Sequence, residues 1–294
     1  MTEELARGVG PAGIDIAYER LGDPTGPPVL LIMGGGAQMI NWPDGFCAAL
    51  GERGLAVVRF DNRDTGRSTH LPDAPVPDVP AALAGDLSSA PYTLSDLAAD
   101  TVGLLDALGW DGAHLVGASL GGMVAQTVAL EHPARVRSLT SMFSTTGDPA
   151  VGRTDLAALA PLGAPPDDRD GYVAWQVAAV RAIGSPGYAD DAAAVAERAG
   201  RAYDRGHDPA GMLRQAVAVV ASGDRTARLG ALRVPTLVVH GTDDRMIDVS
   251  GGRATAAAIP GAALVTYPGM GHSLPRDLWP ELADRIAALV RRAE

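Results

Sequence analysis

Gly117-Ala118-Ser119-Leu120-Gly121-Gly122 is the stretch that decides how this chain folds. It closes a run of small and apolar residues, Ala113–Ala118, and opens a helical pattern, Leu120–Glu131. A chain that passes sharply from a strand into a helix needs small residues two before and two after the turn. The serine at the turn is then held in a strained conformation with its hydroxyl presented. The N–H groups of the new helix point at the same spot, so developing negative charge is favoured there. A bare five-residue match could equally be a glycine-rich turn with an incidental serine. The strand before it and the helix after it make Ser119 a candidate nucleophile.

Working outward, continuous apolar runs at 29–33, 55–60, 136–142 and 236–240 read as buried parallel strands, and 264–267 as one more. Residues 13–20 alternate apolar and polar, as an edge strand would. Leu94–Leu108 carries an apolar stripe, with Thr93 or Ser95 able to cap it, and 277–292 closes the chain as an amphipathic helix. Strands alternating with helices predict an α/β fold, a mainly parallel twisted sheet with helices on both faces. Two stretches break the rhythm. Residues 71–91 hold Pro72, Pro75, Pro77, Pro80 and Pro91 and read as a long connection. Residues 145–228 have no strand-like run, only helical patterns at 171–183, 190–203 and 209–221, and read as a helical cap inserted into the sheet. The expected division is therefore a core of 1–144 and 229–294 with a cap of 145–228.

A serine hydroxyl is a poor nucleophile until a base takes its proton. Of the six histidines, only His272, in Gly269-Met270-Gly271-His272-Ser273, lies in the loop between the last strand and the last helix. A base needs a carboxylate at its second nitrogen. Asp244, in His240-Gly241-Thr242-Asp243-Asp244 after the 236–240 run, is the first choice. Asp243 and Asp248 are its rivals, and Asp148 a more distant one. Met33-Gly34-Gly35-Gly36 follows the 29–33 run. Gly35 N–H and Leu120 N–H are the candidate pair of donors for a tetrahedral oxyanion. A phosphate loop is the competing reading, but no Gly-Lys-Ser/Thr follows, and the sequence has no lysine.

With these parts in hand, the sequence resembles the α/β-hydrolase superfamily over essentially its whole length. The order Ser119, Asp244, His272 is the order of that fold. Asp61-Asn62-Arg63-Asp64-Thr65-Gly66-Arg67-Ser68 looks like its D-x-R-x-x-G-x-S loop, which would brace the active-site loops without doing chemistry. The combination Met33-Gly34-Gly35, Asn41-Trp42-Pro43, Arg63-Asp64-Thr65-Gly66-Arg67-Ser68 and Pro268-Gly269-Met270-Gly271-His272 is similar to the actinobacterial subgroup containing aclacinomycin methylesterase, which hydrolyses a carbomethoxy ester on an anthracycline. The resemblance implies hydrolysis of a carboxylic ester, such as a methyl ester of a polyketide-like small molecule, through an acyl-serine. Lactone, thioester or C–C hydrolysis, perhydrolysis and a non-catalytic small-molecule receptor stay open. In the cap, Trp175, Tyr172, Val180 and Ile183 are candidates to line an apolar pocket, and ordinary helix packing would serve each as well.

Composition bounds the rest. The chain has 294 residues, 47% of them hydrophobic, and a formal net charge of −11. An acidic surface speaks against nucleic acid and anionic membranes as partners. All 24 basic residues are arginine. A single cysteine, Cys47, allows no internal disulfide and reads as a small buried hydrophobe. The first residues, with Glu3 and Glu4, do not read as a signal peptide, and no apolar run has the length of a membrane span. The expectation is a cytoplasmic protein with a small-molecule ester as its partner and no cofactor or metal. The oligomeric state is left open.

Overall fold

The computed structural model describes residues 2–189 and 191–294. Its centre is an eight-stranded sheet: β1 (Glu3–Val9), β2 (Ile14–Gly22), β3 (Pro28–Ile32), β4 (Ala56–Phe60), β5 (Ala113–Ala118), β6 (Val136–Met142), β7 (Thr236–Gly241) and β8 (Ala263–Tyr267). The strand order is β1-β2-β4-β3-β5-β6-β7-β8. β1 and β2 run antiparallel to their neighbours, and every other pairing is parallel.

The helices are α1 (Asp44–Gly51), α2 (Val79–Leu83), α3 (Leu94–Leu108), α4 (Leu120–Glu131), α5 (Leu156–Leu159), α6 (Arg169–Ile183), α7 (Ala192–Arg205), α8 (Pro209–Ser222), α9 (Thr226–Leu229), α10 (Val249–Ala258) and α11 (Trp279–Ala293). Alternate residues of the central strands feed two cores. Leu30, Ile32 and Leu115 pack with Leu97 and Leu104 of α3 and Val124 and Val128 of α4. Val29, Leu31 and Val116 pack on the other face with Phe46 and Leu50 of α1 and Ile286 and Leu289 of α11. Period-two strands buried on both sides require this, and it explains why their sequence runs are continuously apolar.

Three expectations change. The 13–20 strand is not the edge. Glu3–Val9 pairs with it, and β1 is the edge instead. The opposite edge is β8, where Ala263, Leu264 and Thr266 are exposed, so it is not a buried strand. Residues 71–91 are not a plain connection. Asp78 accepts Ala81 N–H and starts the short α2, which packs on α8. Thr93 caps α3, with the Asp96 carboxylate accepting both Thr93 N–H and Thr93 Oγ–H.

Between β6 and β7 the described chain is helical, from α5 through α9, and α7 begins at Ala192. The expected helix start at Asp190 lies outside the described residues. Cys47 is fully buried, and burial pushes its thiol up to about 12, as an inert core residue requires.

Candidate active site

Ser119 sits between β5 and α4 with φ 54° and ψ −121°, a strained conformation for a residue with a side chain. The glycines around it leave no room for anything larger. A Cβ on Gly117 would lie 2.1 Å from the Gly121 carbonyl oxygen, and one on Gly121 would lie 2.0 Å from that of Ile32. The strand and the helix are pressed together to make the turn. The Ser119 carbonyl is further held by the Ser144 hydroxyl, which donates to it at 2.7 Å.

The three residues singled out from the sequence meet here. Ser119 Oγ lies 3.0 Å from His272 Nε2, and Asp244 Oδ2 lies 2.8 Å from His272 Nδ1. The Asp244 side chain is wholly buried. Its other oxygen, Oδ1, accepts the N–H groups of Met246 at 2.8 Å and Ile247 at 2.9 Å. An acid that can only accept fixes the tautomer: Nδ1 carries the proton toward Asp244, and Nε2 is free to accept from Ser119.

The rival acids are occupied elsewhere. Asp243 holds Thr242 Oγ and Gly269 N–H. Asp248 caps α10 through Ser250 N–H and also accepts Arg153 N–H. Asp148 accepts Ala150 N–H in a turn.

Two further features at this site were not legible in the sequence. The Phe143 ring meets the His272 ring edge-on at 5.1 Å. The His272 N–H donates to the Ile183 carbonyl at 2.7 Å, tying the histidine loop to the end of α6. That approach explains the loop's glycines, since a Cβ on Gly271 would lie 1.9 Å from the Gly184 carbonyl oxygen. His240 adds a buried neighbour: its Nε2 donates to the Ile247 carbonyl at 2.8 Å and lies 3.5 Å from Asp244 Oδ2. Burial lowers the His240 pKa, which keeps the ring neutral.

The Met33 to Gly36 loop runs past the serine. A Cβ on Gly34 would lie 3.1 Å from Ser119 Cβ, and Gly35 packs on Leu120. Two buried amides brace this loop. Asn62 Nδ2 donates to the Met33 carbonyl at 3.1 Å. Gln215 of α8 accepts Gly36 N–H at 2.8 Å and donates to the Arg63 carbonyl at 2.7 Å. Around them, Arg63 is paired with Asp100 through two 2.6 Å contacts, and Asp61 accepts Met39 N–H at 2.7 Å. Asp64, His70 and Asp208 gather in the same region, but Arg214 already bridges both carboxylates, so this cluster is an ion-pair network.

A cavity of about 670 Å³ opens over Ser119 and His272. Val180 and Ile183 line it; Tyr172 and Trp175 do not. These two belong to an aromatic cluster with Tyr203 and His207, and Trp175 Nε1 donates to the Leu162 carbonyl. The cavity meets only the C-terminal end of α6, and Tyr172 and Trp175 lie about 12 Å back along its axis from Val180 and Ile183. Nor does any residue of 71–91 line the cavity.

A family model described as the alpha/beta hydrolase fold matches residues 27–275. Rhodomycin D methylesterase DnrP of Streptomyces peucetius is 31% identical, over 94% of this chain and 94% of its own. Rhodomycin D methylesterase DauP of Streptomyces sp. (strain C5) is 30% identical over the same shares. A solved hydrolase from Pseudomonas aeruginosa PA01 is 27% identical, covers 99% of this chain and 98% of its own, and superposes with a TM-score of 0.71. No helix among the described residues is long and apolar enough to cross a membrane. The sheet order, the strained serine turn and a family match over most of the chain agree, and the protein belongs to the alpha/beta hydrolase fold family.

Proposed function

We propose that this protein hydrolyses a carboxylic ester, in the first instance the methyl ester of a polyketide-like small molecule, through an acyl-Ser119 intermediate. The observation that carries the reading is the unbroken line of contacts at the cavity floor: Ser119 Oγ to His272 Nε2 at 3.0 Å and His272 Nδ1 to Asp244 Oδ2 at 2.8 Å. Two relatives named as methylesterases support the ester as the bond attacked.

His272 Nε2 takes the Ser119 proton as Oγ adds to the ester carbonyl carbon. The carbonyl oxygen becomes an oxyanion held by the N–H groups of Gly35 and Leu120, the latter at the positive end of α4. Each such donor contributes a factor of about 10²–10³ in kcat. The imidazolium, steadied by Asp244, returns its proton to the leaving alkoxide, and an alcohol departs. Water then attacks the acyl-serine, with His272 as base again, and frees the acid. Residues 145–228 act as a cap over the sheet's C-terminal edge, where ligands of such sheets bind. Through Val180 and Ile183 the cap supplies part of the pocket wall.

The test is Ser119→Ala against a panel of aryl esters, lactones and polycyclic methyl esters. The expected loss is on the order of 10⁶ in kcat, with the melting temperature retained. Wild-type protein should turn over an ester repeatedly. Lasting modification without turnover would mean a receptor, and full fluorophosphonate labelling of Ser119→Ala would mean another nucleophile.

A further inference from the structure

The cavity over Ser119 is apolar along most of its wall, with Met33, Phe143, Val180, Ile183, Leu274 and Trp279 among the lining. Its charged lining is lopsided. Among the described residues, Arg181, Arg198 and Arg276 line it with one acid, Asp191, in a chain whose net charge is −11. Asp191 is turned to the start of α7, where it accepts Ala194 N–H at 3.0 Å. Arg198 has an interaction of its own. Arg181 and Arg276 are different: both are exposed at the cavity, and neither is ion-paired among the described residues.

These two arginines come from segments that are bonded together beside the reacting centre. Arg181 is in the last turn of α6, and Arg276 follows the His272 loop. His272 N–H donates to the Ile183 carbonyl at 2.7 Å, and Gly187 N–H donates to the Gly269 carbonyl at 2.9 Å. Gly271 N–H donates to Ser185 Oγ at 3.0 Å, and the hydroxyls of Ser185 and Ser273 lie 2.7 Å apart. Arg276 is also pre-positioned. Its guanidinium lies over the Trp279 ring at 5.9 Å, and that ring is fixed by donating to the Leu274 carbonyl at 3.1 Å.

We propose that Arg181 and Arg276 form an anion-recognising rim, and that the substrate is an ester with an apolar body and a second, ionised carboxylate at its far end. The inference rests on the ester-hydrolase reading and adds the substrate class. Burial of the body in the cavity brings the carboxylate to the rim, where a planar guanidinium can take it through two N–H groups. Because the arginines are exposed, their contribution is modest and screened by salt.

Two esters of equal size test this: methyl 6-carboxy-2-naphthoate, an anion, and methyl 6-carbamoyl-2-naphthoate, its neutral counterpart. The quantity read is the ratio of their kcat/KM values. Arg181→Gln with Arg276→Gln should lower that ratio about tenfold at low ionic strength. Raising salt to about 0.5 M should bring the wild-type ratio down toward the variant's. The Arg181→Lys, Arg276→Lys pair should keep most of the preference. An equal ratio in wild type and the Gln pair overturns the proposal. A second arm needs no turnover: calorimetric binding of naphthalene-2,6-dicarboxylate to Ser119→Ala, with and without the two arginines. Arginine-dependent binding with no turnover of either ester would sink the ester reading and leave the rim standing. Turnover with no arginine dependence in either arm would do the reverse.

Discussion

Replacing Asp244 by Asn changes one atom, and the geometry says which way the amide must face. Asp244 Oδ1 accepts two main-chain N–H groups, from Met246 and Ile247. An amide NH2 turned toward them would set donors against donors and leave both buried N–H groups unpaired, at about 1–3 kcal/mol each. The Asn oxygen therefore stays there, and its NH2 faces His272 Nδ1 in place of the carboxylate oxygen now 2.8 Å away. Nδ1 must then accept, so the imidazole proton moves to Nε2 and points at Ser119 Oγ. The base is blocked in the wrong tautomer. If Asp244 supplied only a charge-assisted hydrogen bond, the loss would be about 1.5–3 kcal/mol, on the order of 10- to 100-fold. The tautomer argument expects a loss of about 10⁴ in kcat, close to 5.4 kcal/mol. The assay is kcat on a short aryl ester, with thermal melting to confirm the fold. Asp243→Asn and Asp248→Asn serve as controls, and both should stay within tenfold of wild type. A folded Asp244→Asn that loses less than a hundredfold refutes the tautomer reasoning. One that matches wild type refutes Asp244 as the acid.

Gln215→Leu removes both the acceptor of Gly36 N–H and the donor to the Arg63 carbonyl. Its kcat on a minimal acetate ester should fall at least tenfold with little change in KM, and wild-type kcat in the folded variant would show that the brace does not set the oxyanion loop. Ile183→Ala enlarges the cavity wall and should reorder kcat/KM across esters of increasing acyl length. Trp175→Ala should instead keep the wild-type order and cost about 1–2 kcal/mol in urea melts, through lost stacking on Tyr172; a reordered series would return Trp175 to the pocket. Burial lowers the pKa of both His240 and His114 below the ordinary imidazole value of about 6.5. The unfolded chain then binds protons that the folded one refuses, so their contribution to stability is intact above pH 6.5 and is lost as pH falls below it. The melting temperature should decline from pH 7 to pH 5, less steeply in His240→Gln, and equal slopes would exclude His240 as a cause.

The parts of the site that could be read from sequence are those made by main-chain constraints. Gly117 and Gly121 are written as glycine because a Cβ would strike a carbonyl oxygen at about 2 Å, so the turn has a signature whatever the substrate. The His272 loop obeys the same rule at Gly271, whose Cβ would lie 1.9 Å from the Gly184 carbonyl oxygen, while the Gly35 loop is marked by the left-handed φ of 66° at Gly36 and by the 3.1 Å approach of a Gly34 Cβ to Ser119 Cβ. β1 escaped because its burial is partial and Gly8 interrupts its alternation, with a register shift between Ala6 and Val9. Tyr172 and Trp175 misled because size and aromaticity say nothing of position along a helix, and only the C-terminal end of α6 reaches the cavity. Gln215 left no signal, since one amide that joins residues 179 positions apart has no local pattern.

The helical segment between β6 and β7 is bonded to the loops that carry His272 and Gly35, and under the proposed function this limits how the site can work. The end of α6 holds the histidine loop through Ile183 and Ser185. α8 holds the loop of Gly35 through Gln215. The end of α7 is anchored as well: Gln38 Nε2 donates to the Ala202 and Gly206 carbonyls, and Arg205 pairs with the buried Asp61 at 2.7 Å. A lid swinging away as a unit would break the N–H contact of His272 and the brace behind Gly36 in one movement. It would dismantle the base and the oxyanion loop each time substrate entered. The cheaper arrangement is a standing cavity whose mouth admits substrate while the reacting groups stay fixed, which is what preorganised acyl transfer requires. Under the proposals above, selection among substrates then falls to what meets the cavity wall and rim, Ile183 on the apolar side and Arg181 and Arg276 on the charged one.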